Sequence, residues 1–391
     1  MSTIEDLHEV DGSLYAALQS KRLIVCCGAG GVGKTTTSAA LALAAARLGK
    51  KVLALTIDPS KRLAQTLGVD RNTPEPVKIN RDRLEALNVP LTGELHAWLL
   101  DPQLISDKVV NEEAGDQAET LKNNLIYQQI SGIVAGMQEY TAVEALHQFL
   151  QDRRYDLIIL DTPPARHALR FIDSPERVAA FLDKRIFRLF VPSQAGLIGK
   201  MASKLIDEVL DRAFGEVTRR ELKQFFELFS RLLDHLHHNQ AEMSEIFKSD
   251  EVLFFMVTTA RDDAIDEAQR FASEIIQRGL TLGGFFLNRC PLNESSLTQT
   301  SIESLSERLR DQRIEEDEVS SLCSLLDPLL RSELRSSDLR RETRTALKAL
   351  GPLITLNELD RDPSTLEGIS ELANLLDKEH HPLEPPSEGE V

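Results

Sequence analysis

Three things are scarce in this chain: positive charge, cysteine and long apolar runs. Lysine and arginine number 45 against 62 acidic residues, a formal net charge of −17. That balance argues against a broad nucleic-acid surface or an anionic membrane as the default partner, because both present dense negative charge. The four cysteines include no C-x-x-C pair, which leaves a cysteine-based zinc site with little support. Cys26 and Cys27 fall in an apolar run and read as inert core thiols, while Cys290 and Cys323 stand alone. No run of roughly 18 apolar residues occurs, and no basic stretch with an apolar core opens the chain. The expectation is therefore a cytoplasmic protein without stable membrane insertion.

What is present is length and a core. The chain has 391 residues, 42% of them hydrophobic, enough for one large α/β domain with an insertion or for two domains. Its organising stretch is Leu23 to Thr37, L-I-V-C-C-G-A-G-G-V-G-K-T-T-T. A short apolar run reads as a buried strand, a glycine-rich turn follows, and an Ala-rich helix begins at Lys34. Gly28, Gly33, Lys34 and Thr35 fit the phosphate-binding pattern G-x-x-x-x-G-K-[ST]. Glycines let backbone N–H groups approach phosphate oxygens, and the helix N-terminus adds partial positive charge. In that pattern Lys34 reaches the β- and γ-phosphates and Thr35 ligates Mg²⁺.

Val52 to Ile57 reads as a second buried strand, so strand, helix and strand make a right-handed βαβ unit. It ends at Asp58, on the strand edge where α/β sheets bind ligands. There Asp58 either positions water or caps the following helix. Leu84 to Val89 reads as a short edge strand, and residues 91 to 150 as mostly helical. Tyr155 to Leu160 is another apolar strand, closed by Asp161, the Walker-B arrangement that holds Mg²⁺ directly or through water. Residues 176 to 250 read as a helical insertion. Its apolar sets around Ile186 to Ile206 and Leu222 to Leu236 are mostly helix-helix core, with Phe187 to Met201 the best candidate for a client groove. His235, His237 and His238 read as a solvated helix face. Further strands are expected at Leu253 to Val257, Gly284 to Leu287 and Pro352 to Leu356. Asn288, at a strand end, either reads adenine or occupies a turn. Three spans then make up the ordered chain: the first part of the core at 1–175, the insertion at 176–250, and the second part at 251–377 with a charged helical segment at 293–349. Residues 378–391 form a disordered tail.

Taken together, G-A-G-G-V-G-K-T-T, I-D-P-S-K-R-L-A, E-Y-T-A-V-E-A-L, Y-D-L-I-I-L-D-T-P-P-A-R-H-A-L-R-F and F-F-L-N-R, in that order, resemble the ArsA-type ATPases. That family includes arsenite-pump ATPases and chaperones that target tail-anchored membrane proteins. The resemblance implies a doubly wound, mostly parallel P-loop sheet with a helical subdomain, ATP and Mg²⁺ as cofactors, and a dimer. It places Gly28, Ala29, Gly30, Gly31, Val32, Gly33, Lys34, Thr35 and Thr36 around the phosphates, and Thr35, Asp58 and Asp161 around Mg²⁺. It also makes Asp58 the carboxylate that positions water, residues 161 to 170 a switch, and Asn288 the adenine contact. Two departures stand out. The family's second P-loop lysine, which crosses the dimer, is Ala29 here, and a trans charge of that kind is worth about 10³–10⁵ in rate. Arg166 stands where the family's switch has glycine, so Arg166, or Lys61 or Arg62, is the candidate replacement. The zinc-binding cysteine pair of the targeting chaperones and an arsenite-binding cysteine triad are both missing.

The expected function is Mg²⁺-dependent ATP hydrolysis that opens and closes a homodimer around a hydrophobic client such as a membrane-protein segment. The alternatives are the energising subunit of an anion pump and a nucleotide-binding scaffold with little turnover. A spatial positioner of the MinD or ParA type fits less well, because the C-terminus is acidic and Pro-rich.

Overall fold

The computed structural model describes residues 14–57, 67, 69, 73, 75–80, 84, 91–124, 127–128, 138–163, 212, 215–218, 220–222, 224–225, 238–239, 241–291, 302–312 and 316–378. Its centre is an eight-stranded sheet in the order β3-β4-β2-β5-β1-β6-β7-β8. The strands are β1 (Leu23–Gly28), β2 (Lys51–Thr56), β3 (Val77–Lys78), β4 (Glu94–Leu99), β5 (Leu157–Asp161), β6 (Val252–Thr259), β7 (Leu282–Cys290) and β8 (Leu353–Asn357). Every pairing is parallel except β3 with β4. β1 lies between β5 and β6, and all six of its residues are buried. This is why its sequence is continuously apolar and does not alternate.

Alternate residues of the strands feed two cores. Ile24, Cys26, Val52, Ala54, Ile159, Phe255 and Phe286 join α1 (Leu14–Ser20), α2 (Lys34–Arg47) and α9 (Leu366–Lys378) on one face. Leu23, Val25, Leu53, Leu55, Leu160, Phe254 and Met256 face the other way, into a core with α3 (Pro102–Ala114), α5 (Gln138–Gln151) and α6 (Ala264–Gln277). A short helix, α4 (Ala118–Asn123), follows α3. Helices on both faces of a mostly parallel sheet make the fold doubly wound.

Two expectations need correction. Glu94–Leu99 is a strand, not part of a long helix: E-L-H-A-W-L contains helix formers and no Val or Ile, but it pairs with β2 over six residues. Trp98 settles the choice by packing edge-on to Phe149 at 5.4 Å and donating its indole N–H to the Thr73 carbonyl at 2.9 Å. Tertiary cover has overridden propensity here. Leu84 is helical, and the sheet edge is formed instead by Val77–Lys78.

The charged segment after β7 forms α7 (Ile302–Asp311) and α8 (Glu316–Leu350), the latter 35 residues long with Pro328 inside it. In the second half of α8, Thr343 and Leu347 are buried, and Val319 is buried in the first half. The apolar residues expected at 186 to 206, and Phe226, Phe229, Leu232, Leu233 and Leu236, lie outside the described residues, whereas Phe225 is buried in the core. Among the described residues no helix is long and apolar enough to cross a membrane.

Candidate active site

The chain leaves the carboxyl end of β1 through 28–33 and enters α2 at Lys34. Two glycines there are required by space. A Cβ on Gly28 would lie 2.3 Å from the Val257 carbonyl oxygen. On Gly33, which has φ 91°, it would lie 2.1 Å from Asn288 Nδ2. Gly33 is also the N-cap of α2 and supplies no side-chain cap. The first N–H groups of α2 are therefore left for a ligand, and an anion suits them. Lys34 is buried at this helix start. Thr37 anchors the turn by donating both its N–H (2.9 Å) and its hydroxyl (3.0 Å) to the Gly33 carbonyl.

Asn288 braces the loop from below. Its Nδ2 donates to the Val32 carbonyl at 2.8 Å, while its Oδ1 accepts the Arg289 N–H at 2.9 Å. Arg289 has φ 59°, a left-handed turn residue at the strand end. The amide therefore sits at the P-loop crest and the turn at once.

Asp161 ends β5 level with Cys26 of β1 and Thr56 of β2. It is completely buried. Its Oδ2 accepts the Thr35 hydroxyl at 2.8 Å and the Thr56 hydroxyl at 3.1 Å. Thr35 and Asp161 were singled out by pattern, and the fold brings them together across 126 residues of sequence. Thr56 was missed. Its only signal was a hydroxyl two residues before the strand-end Asp58. The set formed by Thr35, Thr56 and Asp161 contains oxygen donors alone, which fits Mg²⁺, a hard ion held by one or two carboxylates together with substrate phosphates. Bound there, Mg²⁺ would neutralise charge on the β- and γ-phosphate oxygens.

The neighbouring thiols are not available for chemistry. Burial pushes Cys26 up to about 12, against a lowering hydrogen bond with Ser38, and the Asp161 carboxylate adds to the rise. Burial pushes Cys27 up to about 12 as well, against a lowering hydrogen bond with Thr162. Thr162 carries the chain past Asp161 with its N–H (3.3 Å) and hydroxyl (2.8 Å) on the Cys26 carbonyl. Asp58, Lys61, Arg62 and Arg166 lie outside the described residues. A second feature missed in the sequence is the loop before α9, where the Pro363 carbonyl accepts the Thr36 hydroxyl at 3.5 Å.

A polar cluster ties α5 to residues 238–248, which lead into β6. Asn239 Nδ2 lies 3.0 and 3.1 Å from the two carboxylate oxygens of buried Glu144. His147 Nε2 meets Glu242 Oε2 at 2.8 Å, and Gln151 donates to the same oxygen at 3.2 Å. That bond with His147 holds the Glu242 carboxyl below its usual range. His238, exposed as expected, reaches the other Glu242 oxygen at 3.3 Å. His235 and His237 lie outside the described residues. Among the described residues no group of three His, Cys, Asp or Glu could hold a metal ion.

The profile of one family, described as anion-transporting ATPase, matches residues 21–335. A putative arsenical pump-driving ATPase 1 of Aquifex aeolicus is 24% identical over 323 residues, covering 80% of this chain and 75% of its own length. ATPase GET3 of Malassezia globosa is 24% identical, covering 69% and 73%. An ATPase ASNA1 homolog of Plasmodium vivax is 23% identical over 382 residues, covering 95% and 92%.

Proposed function

The chain belongs to the anion-transporting ATPase family, and on that premise we propose that its ATP hydrolysis opens and closes a homodimer that takes up and releases a hydrophobic client. The ATPase activity itself follows from the family. The observation that carries the site reading is Asp161, buried and held by the P-loop hydroxyl of Thr35 at 2.8 Å. In this reading 28–36 cradle the phosphates, Lys34 offsets charge on the β- and γ-phosphates, and Thr35 and Asp161 hold Mg²⁺. Asp58 orients the attacking water, and Arg166, Lys61 or Arg62 supplies the charge that Ala29 does not. Asn288 has a second amide hydrogen and a second lone pair left for adenine.

The client half of the proposal draws support from two places. The insertion carries apolar runs at 186–206 and 222–236. Its returning arm is bonded through Asn239 and Glu242 to α5, the helix that feeds β5 and hence Asp161. A change in the contacts of Asp161 would then be passed through β5 and α5 to Asn239 and Glu242. A pump-subunit role is the second reading, favoured by the name of the Aquifex aeolicus relative. Against it, Cys26, Cys27 and Cys290 are buried and cannot gather around an oxyanion.

The test is solution mass by light scattering for the wild type and Asp58→Asn, without nucleotide and with Mg·ATP, together with turnover. Nucleotide-dependent closing predicts a compact dimer that Asp58→Asn traps in ATP with turnover lost. Unchanged mass and shape in every nucleotide state, with ATP shown to be bound, would sink the reading. Turnover stimulated by arsenite would transfer it to the pump.

A further inference from the structure

The phosphate loop has two sides. β5 and β2 lie on one side of β1 and carry Asp161 and Thr56, which with Thr35 form the oxygen set that suits Mg²⁺. β6 and β7 lie on the other side. There Asn288 of β7, level with Thr259 of β6, meets the loop at the Val32 carbonyl. Mg²⁺ draws the β- and γ-phosphates toward its own side. The nucleoside end of the same ligand is left to the β7 side.

β7 breaks its alternation at this place. Leu287 pairs with Thr355 and Cys290 with Asn357, so Asn288 and Arg289 together oppose Leu356. Leu287 and Cys290 consequently face the same core, which the alternation of a regular strand does not allow. Counted back from Cys290, Arg289 falls on the same face as Asn288, the face on which Phe286 packs with α2. A bulge of this kind re-aims a side chain. Arg289 holds φ 59°, a conformation that glycine adopts freely and arginine seldom does. It is exposed, and among the described residues no ion pair or side-chain hydrogen bond takes up its guanidinium. A planar cation therefore stands beside the amide at the loop crest, in a backbone state that its own side chain does not favour.

We infer that Arg289 lays its guanidinium on the face of the nucleotide base whose edge Asn288 reads. A base is flat, aromatic and neutral, and its face takes a guanidinium plane by stacking and cation–π attraction. The amide hydrogen and lone pair left on Asn288 serve the edge. Neither β6, which closes on Thr258 and Thr259, nor β7, which closes on Asn288, Arg289 and Cys290, ends in an aromatic side chain that could stack instead. The phosphates have their own partners in Lys34, the free N–H groups of α2 and the metal. Arg289 is thus a residue that holds the base and not one that moves the phosphoryl group. The inference rests on the nucleotide reading of 28–36.

The experiment is titration calorimetry of the full chain with Mg·ATP and, separately, with Mg·tripolyphosphate, which has no base. The wild type is compared with Arg289→Gly and Arg289→Asn, both of which tolerate the left-handed backbone, and circular dichroism follows helix content. The expected result is an ATP dissociation constant that rises at least about fivefold in both variants, with tripolyphosphate binding and helix content unchanged. Equal losses for ATP and tripolyphosphate would overturn the base contact and make Arg289 a phosphate cation, beside Arg166, Lys61 and Arg62. Unchanged ATP affinity, or a loss in only one of the two variants, would overturn it as well and leave the P-loop reading intact. A wild type that binds tripolyphosphate as tightly as ATP would show that no base is held. A wild type that binds neither would sink the nucleotide reading together with the inference.

Discussion

Two helices, α2 and α8, carry leucines that meet opposite fates. Leu41 and Leu43 of α2 are fully buried, and eleven of its fourteen residues are inside. Leu325 and Leu329 of α8 stand in solvent. Residue type does not separate them; cover does. α2 lies on the sheet, with α9 bonded across it through Arg47, whose Nη1 donates to Asn374 at 2.8 Å and Nη2 to Ser370 at 3.0 Å. Its alanines are fully buried, small side chains that let backbone approach strand closely. In the first half of α8, Val319 alone is buried among the described residues. The comparison teaches that the same residue type is sealed where the phosphate loop is rooted and exposed on the first half of α8.

The largest contrast is in thiol chemistry. With Cys26 and Cys27 pushed up to about 12, their thiolate fraction at pH 8 is about 10³ below that of an unperturbed thiol near 8.5. A disulfide reagent at pH 8 should label partly exposed Cys323 in the folded chain and reach Cys26, Cys27 and Cys290 only after unfolding. Rapid labelling of Cys26 would break the picture of a dry, rigid root. Next, Leu43→Ala should cost about 2–5 kcal/mol in urea unfolding, because the sheet cannot collapse into the cavity. Thr56→Val should sharpen the local account. It removes a 3.1 Å bond to Asp161 and should raise the Mg²⁺ concentration that half-saturates binding of an ATP analogue by about tenfold, with Thr56→Ser close to wild type. An unchanged Mg²⁺ dependence would leave Thr56 as a strand residue with no part in the site. Smallest, Leu329→Ala should change the unfolding free energy by no more than about 0.5 kcal/mol when measured at a concentration where the chain is monomeric. A loss comparable to Leu43→Ala would show that Leu329 is covered within the chain.

Much of the site was legible because its chemistry is written in neighbouring residues. The P-loop needs glycines, Lys34 and Thr35 in a fixed local order, and β1 and β5 are short apolar runs that end in Gly28 and Asp161. Thr56 was not legible. Its hydroxyl matters only because β2 and β5 pair in the register that sets Thr56 level with Asp161. A shift of one residue would turn it to the other face. β4 was misread for a related reason, since E-L-H-A-W-L becomes a strand through its neighbours and not through its own preferences. The Pro363 contact with Thr36 joins positions 327 residues apart, a distance over which no local pattern speaks.

By itself, then, the sequence determined the phosphate loop, the strand-end carboxylate and the alternation of strands with helices, because each follows from the spacing of a few adjacent residues. Only the tertiary structure decided that two hydroxyls hold Asp161, that Asn288 braces the P-loop crest, and that Leu325 and Leu329 of α8 lie exposed while Leu41 and Leu43 of α2 are sealed. Register and cover arise from contacts between distant segments, and burial is a property of what lies opposite a side chain.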